Sequence, residues 1–246
     1  MYKALVKAAD YLQKKVCFKK LVMQPHPMVL FTWDGWNQDM PCTFKGPSSL
    51  FQRWNLQIRD AYSLPSPISR DKAAILVLIR KGRMGDGSIS TVRYIANSME
   101  VVNGLSGIDG AAVTAADLAD YSFDEQLQLV QTTSILIGMH GAGITHSIHM
   151  AIGTPLCCGV VEMFPQGEYS VIRGYGNMAR RMGVVYERID ISASMVSHGI
   201  GTRVTVDELV GVVKEMINRL HRAQSCVHPS AIDDPHFSAK YVDIWQ

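Results

Sequence analysis

The chain has 246 residues, 47% hydrophobic and 19% charged, a globular composition rather than a disordered or low-complexity one. Its formal charge of +2 supplies no long-range attraction to nucleic acid or to a membrane surface, and no apolar run reaches the roughly 20 residues of a bilayer span. Such a length holds one large domain, or one complete domain with part of another.

Residues 4–15 place apolar side chains at helical spacing, and Lys14, Lys15, Lys19 and Lys20 read as a solvated helix face. Residues 24–49 carry Pro25, Pro27, Pro41 and Pro47, loop chemistry around one short strand at 28–32. Residues 50–62 predict a helix with Phe51, Trp54, Leu56 and Ile58 on it. Leu64-Pro65-Ser66-Pro67 then breaks the chain, and the main domain boundary is placed there.

After Asp71 a β/α alternation begins and persists. Residues 74–80 predict a buried strand ending on Arg80. Asn97-Ser98-Met99-Glu100 has capping-box spacing and opens a helix through Leu105. A strand follows at 111–118, and Ser122-Phe123-Asp124-Glu125 repeats the capping-box spacing ahead of a helix through Thr132. Past the central unit described next, a helix is predicted at 169–182 and a strand at 184–189. Thr205-Val206-Asp207-Glu208 then caps an amphipathic helix to about residue 222. Continuous rather than alternating apolar strands imply a parallel sheet covered on both faces. The expected fold class is α/β: a Rossmann-like parallel sheet over 70–222 with helices on both faces. It follows a partial N-terminal segment, 1–66, and precedes a tail, 223–246.

The centre of this pattern is 134–162. An apolar run at 135–137 stops at Gly138, and His140-Gly141-Ala142-Gly143 follows with almost no side-chain bulk. Ile144, Ile148, Ala151 and Ile152 predict a helix ended by Gly153-Thr154-Pro155, and 156–161 a second buried strand closing on Glu162. The glycine loop thus lies at the carboxyl end of a strand, where open α/β sheets bind ligands. Gly141 and Gly143 let backbone N–H groups and a helix N-terminus approach an anion closely.

His140 in such a loop is either a packing residue or a functional one, and its place after a parallel strand favours function. His146 and His149 share the next helix, but no Asp, Glu or Cys nearby completes a metal set with them. Glu162 either accepts two hydroxyls, as from a ribose, or caps the following turn. Arg80, at a strand end, and Arg93 with Asn97, at a helix start, either grip a diphosphate or are solvated surface groups.

Three other patterns fall away. Gly174-Tyr175-Gly176-Asn177-Met178-Ala179 satisfies the dinucleotide G-x-G-x-x-A spacing, but it follows no clean strand and no acidic residue stands about 20 positions later. The His-Gly-Ala-Gly run also suits the oxyanion loop of an esterase, yet no G-x-S-x-G elbow supplies a nucleophile. The five cysteines lack C-x-x-C spacing, and Cys157 and Cys158 read as core thiols.

Taken in order, several groups resemble glycosyltransferase family 61 over about residues 42–190. They are Cys42-x-Phe44, Arg80, Arg93-x-Ile95-x-Asn97, Phe123-x-Glu125-Gln126, His140-Gly141-Ala142-Gly143 and Val161-Glu162. The resemblance implies the second, donor-binding domain of a GT-B-like fold, and inverting transfer from a UDP-sugar to a glycan or glycoprotein acceptor. By carry-over His140 is the catalytic residue, and Arg80, Arg93, Asn97, Gly141, Ala142, Gly143 and Glu162 bind the donor. The insertion after Arg80 makes Arg83 an alternative to one of the arginines, and Asp34 is a candidate general base or a turn aspartate. No cofactor is required by the sequence, a divalent metal is left open, and no nucleic-acid partner is expected. The resemblance points to the Golgi or endoplasmic reticulum lumen if an upstream signal or anchor exists. The short N-terminal region keeps a non-catalytic nucleotide-sugar-binding module as the alternative. His140 replaced by Ala is expected to weaken UDP binding or turnover and to leave the thermal midpoint nearly unchanged.

Overall fold

The computed structural model describes residues 49–64, 72–80, 93–151, 158–165, 174–197 and 201–222. The chain runs through α1 (Ser49–Ala61), β1 (Ala73–Leu78), α2 (Ser98–Ser106), β2 (Ala111–Ala116), α3 (Phe123–Gln131) and β3 (Ile135–Met139). A 3-10 helix (Ala142–His149) follows, then β4 (Gly159–Pro165), α4 (Gly174–Met182) and β5 (Val185–Ile191). The short antiparallel pair β6 (Val196–Ser197) and β7 (Gly201–Thr202) leads into α5 (Val206–Arg222). The helix expected at 4–15, the strand at 28–32, Cys42, Asp34, Arg83 and the tail at 223–246 lie outside the described residues.

Five strands form one sheet in the order β2-β1-β3-β4-β5, every pairing parallel. The class is therefore α/β and Rossmann-like, as the alternation of elements implied. From β1 the chain steps outward to β2, then returns across β1 to β3 and continues to β4 and β5. The strand order reverses between β1 and β3, and the crevice outside the carboxyl ends of those strands is where such sheets bind ligands.

Alternation along the strands feeds two cores. Ile75, Val77, Ile135, Ile137 and Val161 face α2 and α5, while Leu76, Leu136 and Val160 face the 3-10 helix and α4. Each such side chain contributes about 1.5–3 kcal/mol on burial, which is why both faces of a central strand must be covered. Helix α1 precedes the boundary read from Pro65 and Pro67, yet Ile58 and Tyr62 pack with Leu127 of α3. Asn55 of α1 donates its side-chain amide to the carbonyls of Ile148 (2.6 Å) and Met150 (3.1 Å).

Several local expectations change. Gly138 lies inside β3, and Glu162 lies in the middle of β4, because Met163 and Phe164 continue the buried run. The segment after the glycine loop is a 3-10 helix rather than an α-helix, with Ile144 N–H on the Gly141 carbonyl (3.0 Å) and Met150 N–H on Ser147 (3.2 Å). Gly143 and the β-branched Ile144, Thr145 and Ile148 favour the α-helix weakly. The carbonyls at its end are taken instead by Asn55 and by Gln131, whose amide meets His149 at 2.5 Å.

The two capping boxes diverge. Ser122 and Glu125 form theirs in full. Asn97 makes no side-chain cap: its Oδ1 accepts from Val204 N–H and its Nδ2 donates to the Val204 carbonyl, each at 2.9 Å. A two-point backbone clasp inside the core outweighs one bond at a helix end.

Candidate active site

The site forms where β1 and β3 part. Leu78 pairs with Gly138 as the last register pair, and Arg80 and His140 each follow two residues beyond it. Gly138 permits that approach: a β-carbon there would meet Leu78 Cβ at 3.2 Å and Ile144 Cδ1 at 3.1 Å. Gly141 adopts φ 156° and ψ 178°, a region open essentially to glycine alone, and turns the chain from β3 into the 3-10 helix. Arg93 lies against this bend, its Nη1 3.4 Å from where a Gly141 β-carbon would be.

His140 is tied to β4 twice. Its backbone N–H donates to the Met163 carbonyl at 2.8 Å, and its Nδ1 contacts Glu162 Oε1. The other carboxylate oxygen, Oε2, accepts from the Tyr186 hydroxyl at 2.5 Å. Glu162 is only 2% exposed, and a buried carboxylate is tolerated because both oxygens are engaged. The imidazole is flanked by the rings of Phe164 (centroids 4.4 Å) and Tyr175 (5.3 Å). Arg188, which pairs in register with Glu162, lies 3.8 Å over the Phe164 ring and 2.6 Å from Asp190.

The electrostatics bind these groups into one set. Burial holds the Tyr175 phenol above its ordinary range and the Glu162 charge adds to this, while a hydrogen bond with Thr145 and the Arg93 charge oppose it. A cation, a carboxylate, an imidazole and two phenols therefore meet beside a glycine bend at the switch point. Such a set can hold an anionic group and orient a proton.

Of the residues anticipated from sequence, His140, Glu162, Arg93 and Gly141 come together. Gly143 follows in the 3-10 helix, where a β-carbon would meet Leu78 Cδ1 at 3.0 Å, and Ala142 and Arg80 are exposed beside the crevice. Asn97 stands apart, its amide committed to Val204 and, at 3.3 Å, to Glu100. Sequence reasoning passed over Tyr186, Tyr175 and Thr145. Tyr186 shares strand parity with Arg188, but which face of β5 meets Glu162 follows only from the β4–β5 register.

His146 and His149 belong to the core rather than to this set. Phe123 stands 6.3 Å and 6.2 Å from their rings, and Trp54 stands 5.3 Å from His149. Burial lowers both, and with the His146 charge it pushes His149 down to about 3. Among the described residues no three His, Cys, Asp or Glu side chains gather as a metal cluster. Cys158 is likewise a core thiol, pushed up to about 12 by burial, with its S–H directed to the Ala151 carbonyl at 2.9 Å. The Gly-x-Gly-x-x-Ala run opens α4 instead of forming a loop at a strand end.

Fold and site together define a Rossmann-like α/β protein whose polar centre lies at the carboxyl edge of a parallel sheet. Residues 39–157 match the profile of the family Glycosyltransferase 61. The chain is 28% identical over 182 residues to the EGF domain-specific O-linked N-acetylglucosamine transferase of Drosophila melanogaster, covering 72% of this chain and 31% of that protein. The Rattus norvegicus transferase of the same name is 28% identical over 183 residues, with the same coverage. The Bos taurus one is 35% identical over 96 residues, 38% of this chain and 17% of that protein. The chain thus spans about a third of the length of the Drosophila and Rattus relatives. These relatives are named as transferases of N-acetylglucosamine.

Proposed function

We propose that this chain is the donor-binding part of an inverting glycosyltransferase that uses a UDP-sugar and a glycan or protein-linked acceptor. The observation that carries the reading is the convergence of Arg93, Gly141, His140 and Glu162 at the β1/β3 switch point of a chain that matches the glycosyltransferase 61 profile. In this reading the domain lies second in a GT-B-like arrangement, with residues 1–66 the end of an acceptor-side domain. N-acetylglucosamine, the sugar in the relatives' name, is the first donor to try.

During inverting transfer the acceptor oxygen bonds to the anomeric carbon and the carbon–diphosphate oxygen bond breaks. The electron pair leaves with UDP, and the acceptor proton passes to a base. Negative charge therefore grows on the diphosphate. Arg93 and the glycine bend, fixed before reaction, stabilise that charge without reorganising, and Arg80 joins them from the rim. The protein's part is mainly positioning and electrostatics.

The alternative is a nucleotide-sugar-binding module without transfer, which the same anion-holding set of Arg93, Gly141 and His140 would equally serve. Calorimetry with UDP tests what both readings share, and turnover of UDP-N-acetylglucosamine by the chain and by a form extended to relatives' length separates them. Absence of heat and of any thermal shift at millimolar UDP would overturn both.

A further inference from the structure

We propose that Glu162 and Tyr186 are positioning residues for His140, and that Glu162 does not bind the ribose or sugar of the donor. This rests on the donor-binding reading above for its functional meaning, but its geometry is independent of it.

Both carboxylate oxygens are engaged inside the protein, and the residue is only 2% exposed, so no face of it is open to a ligand. Oε1 meets His140 Nδ1 and Oε2 takes the Tyr186 hydroxyl proton at 2.5 Å. A ribose diol could reach those oxygens only by displacing the groups that bury them, and breaking a buried pair leaves an uncompensated group. A carboxylate accepts and cannot donate, so its contact requires a proton on Nδ1. The hydrogen bond made by one imidazole nitrogen decides the role of the other. Nε2 is thereby assigned as the nitrogen that meets ligand, either as an acceptor or, once protonated, as a donor to a diphosphate oxygen.

Each part of the brace is held from behind. Glu162 sits within β4, between the Gly138 and Arg188 register partners, so its backbone cannot drift. The His140 backbone is pinned to Met163. The Tyr186 ring lies on Gly176 of α4, where a β-carbon would come within 2.9 Å of Cε1. The glycine of the Gly-x-Gly-x-x-Ala run is there to admit a phenol, and the phenol steadies the carboxylate that orients the imidazole.

Two measurements on the whole chain test this. Long-range proton–nitrogen correlation spectra of chain labelled with 15N-histidine, at about two pH units above the ordinary imidazole value of about 6.5, report which nitrogen of His140 carries a proton. The His140→Gln variant identifies the signal. Nδ1 protonated in the native chain is expected, and a bare Nδ1 overturns the proposal whether or not UDP binds.

The second measurement is a double-mutant cycle on UDP affinity with Tyr186→Phe, which deletes one oxygen and keeps the ring, and His140→Gln. Tyr186→Phe is expected to weaken binding about tenfold in the native background, and by less than about twofold once His140 is Gln. Equal effects in both backgrounds would mean that Tyr186 and Glu162 act on the ligand directly, and would overturn it. A native chain that binds no UDP fails the functional reading alone, and the spectra then decide the brace.

Discussion

A β-carbon on Gly176 would stand 2.9 Å from Cε1 of Tyr186, closer than carbon atoms tolerate. Glycine within a helix is normally a defect costing about 0.5–1 kcal/mol relative to alanine. Here Gly176→Ala is expected to reverse that sign, because the ring it strikes is anchored to Glu162. Overpacking of about 1–3 kcal/mol outweighs the gain in helix propensity. Thermal melts should show a lower midpoint, and calorimetry a UDP affinity reduced about as much as by Tyr186→Phe. A raised midpoint with unchanged affinity would sink the argument.

The burial of Glu162 changes what His140→Ala should do. The sequence alone predicts a thermal midpoint nearly unchanged by this substitution. The structure makes His140 the partner of a carboxylate that is 2% exposed, and removing one member of such a pair costs about 3–5 kcal/mol. His140→Ala should therefore lower the thermal midpoint clearly. His140→Gln, which keeps a donor for Glu162, should lower it much less, while both weaken UDP binding.

His149 sets an acid limit on the fold. Its native value of about 3 lies below the ordinary 6.5, through burial and then the His146 charge. The unfolded chain binds the proton more readily, so the stability from this group is complete above about pH 6.5. It falls as pH drops toward about 3, by at most about 1.4 kcal/mol per unit for one proton. Denaturant titrations between about pH 6.5 and pH 5, above the carboxylate range, should show falling stability. The slope should flatten in His149→Gln, and an unchanged slope would remove His149 from the account.

Ser122 and Asn97 occupy the same position of the same sequence motif and should respond differently. Ser122→Ala deletes an exposed cap worth about 1 kcal/mol, about 2–4 °C in a domain of this size. Asn97→Ala deletes a buried two-point clasp on Val204 and leaves backbone groups unpaired, at about 1–3 kcal/mol for each. Its loss of midpoint should exceed that of Ser122→Ala. Equal losses would mean that the clasp adds nothing beyond a cap.

The strands illustrate what local pattern conveys. Ile75 to Val77 and Ile135 to Ile137 are apolar on both faces, and a strand with no polar side belongs in the middle of a covered parallel sheet. The glycine bend was equally readable, since glycines after such a strand admit backbone conformations closed to other residues. Element ends were less so: Glu162 looked like a strand end because a carboxylate rarely sits inside one. Only the arrival of His140 and Tyr186 from two other strands makes that position affordable.

By itself the sequence determined the α/β class, the alternation of elements, and the meeting of a glycine bend with His140 at a strand's carboxyl end. These depend on side-chain periodicity and backbone freedom, which act over a few residues. The tertiary structure alone decided that Glu162 faces the imidazole, that Tyr186 closes its second oxygen, that Arg93 reaches Gly141, and that Asn97 serves the core. Each joins residues from 22 to 107 positions apart or rests on strand register. Register is set by the summed packing of the sheet, which no single segment encodes.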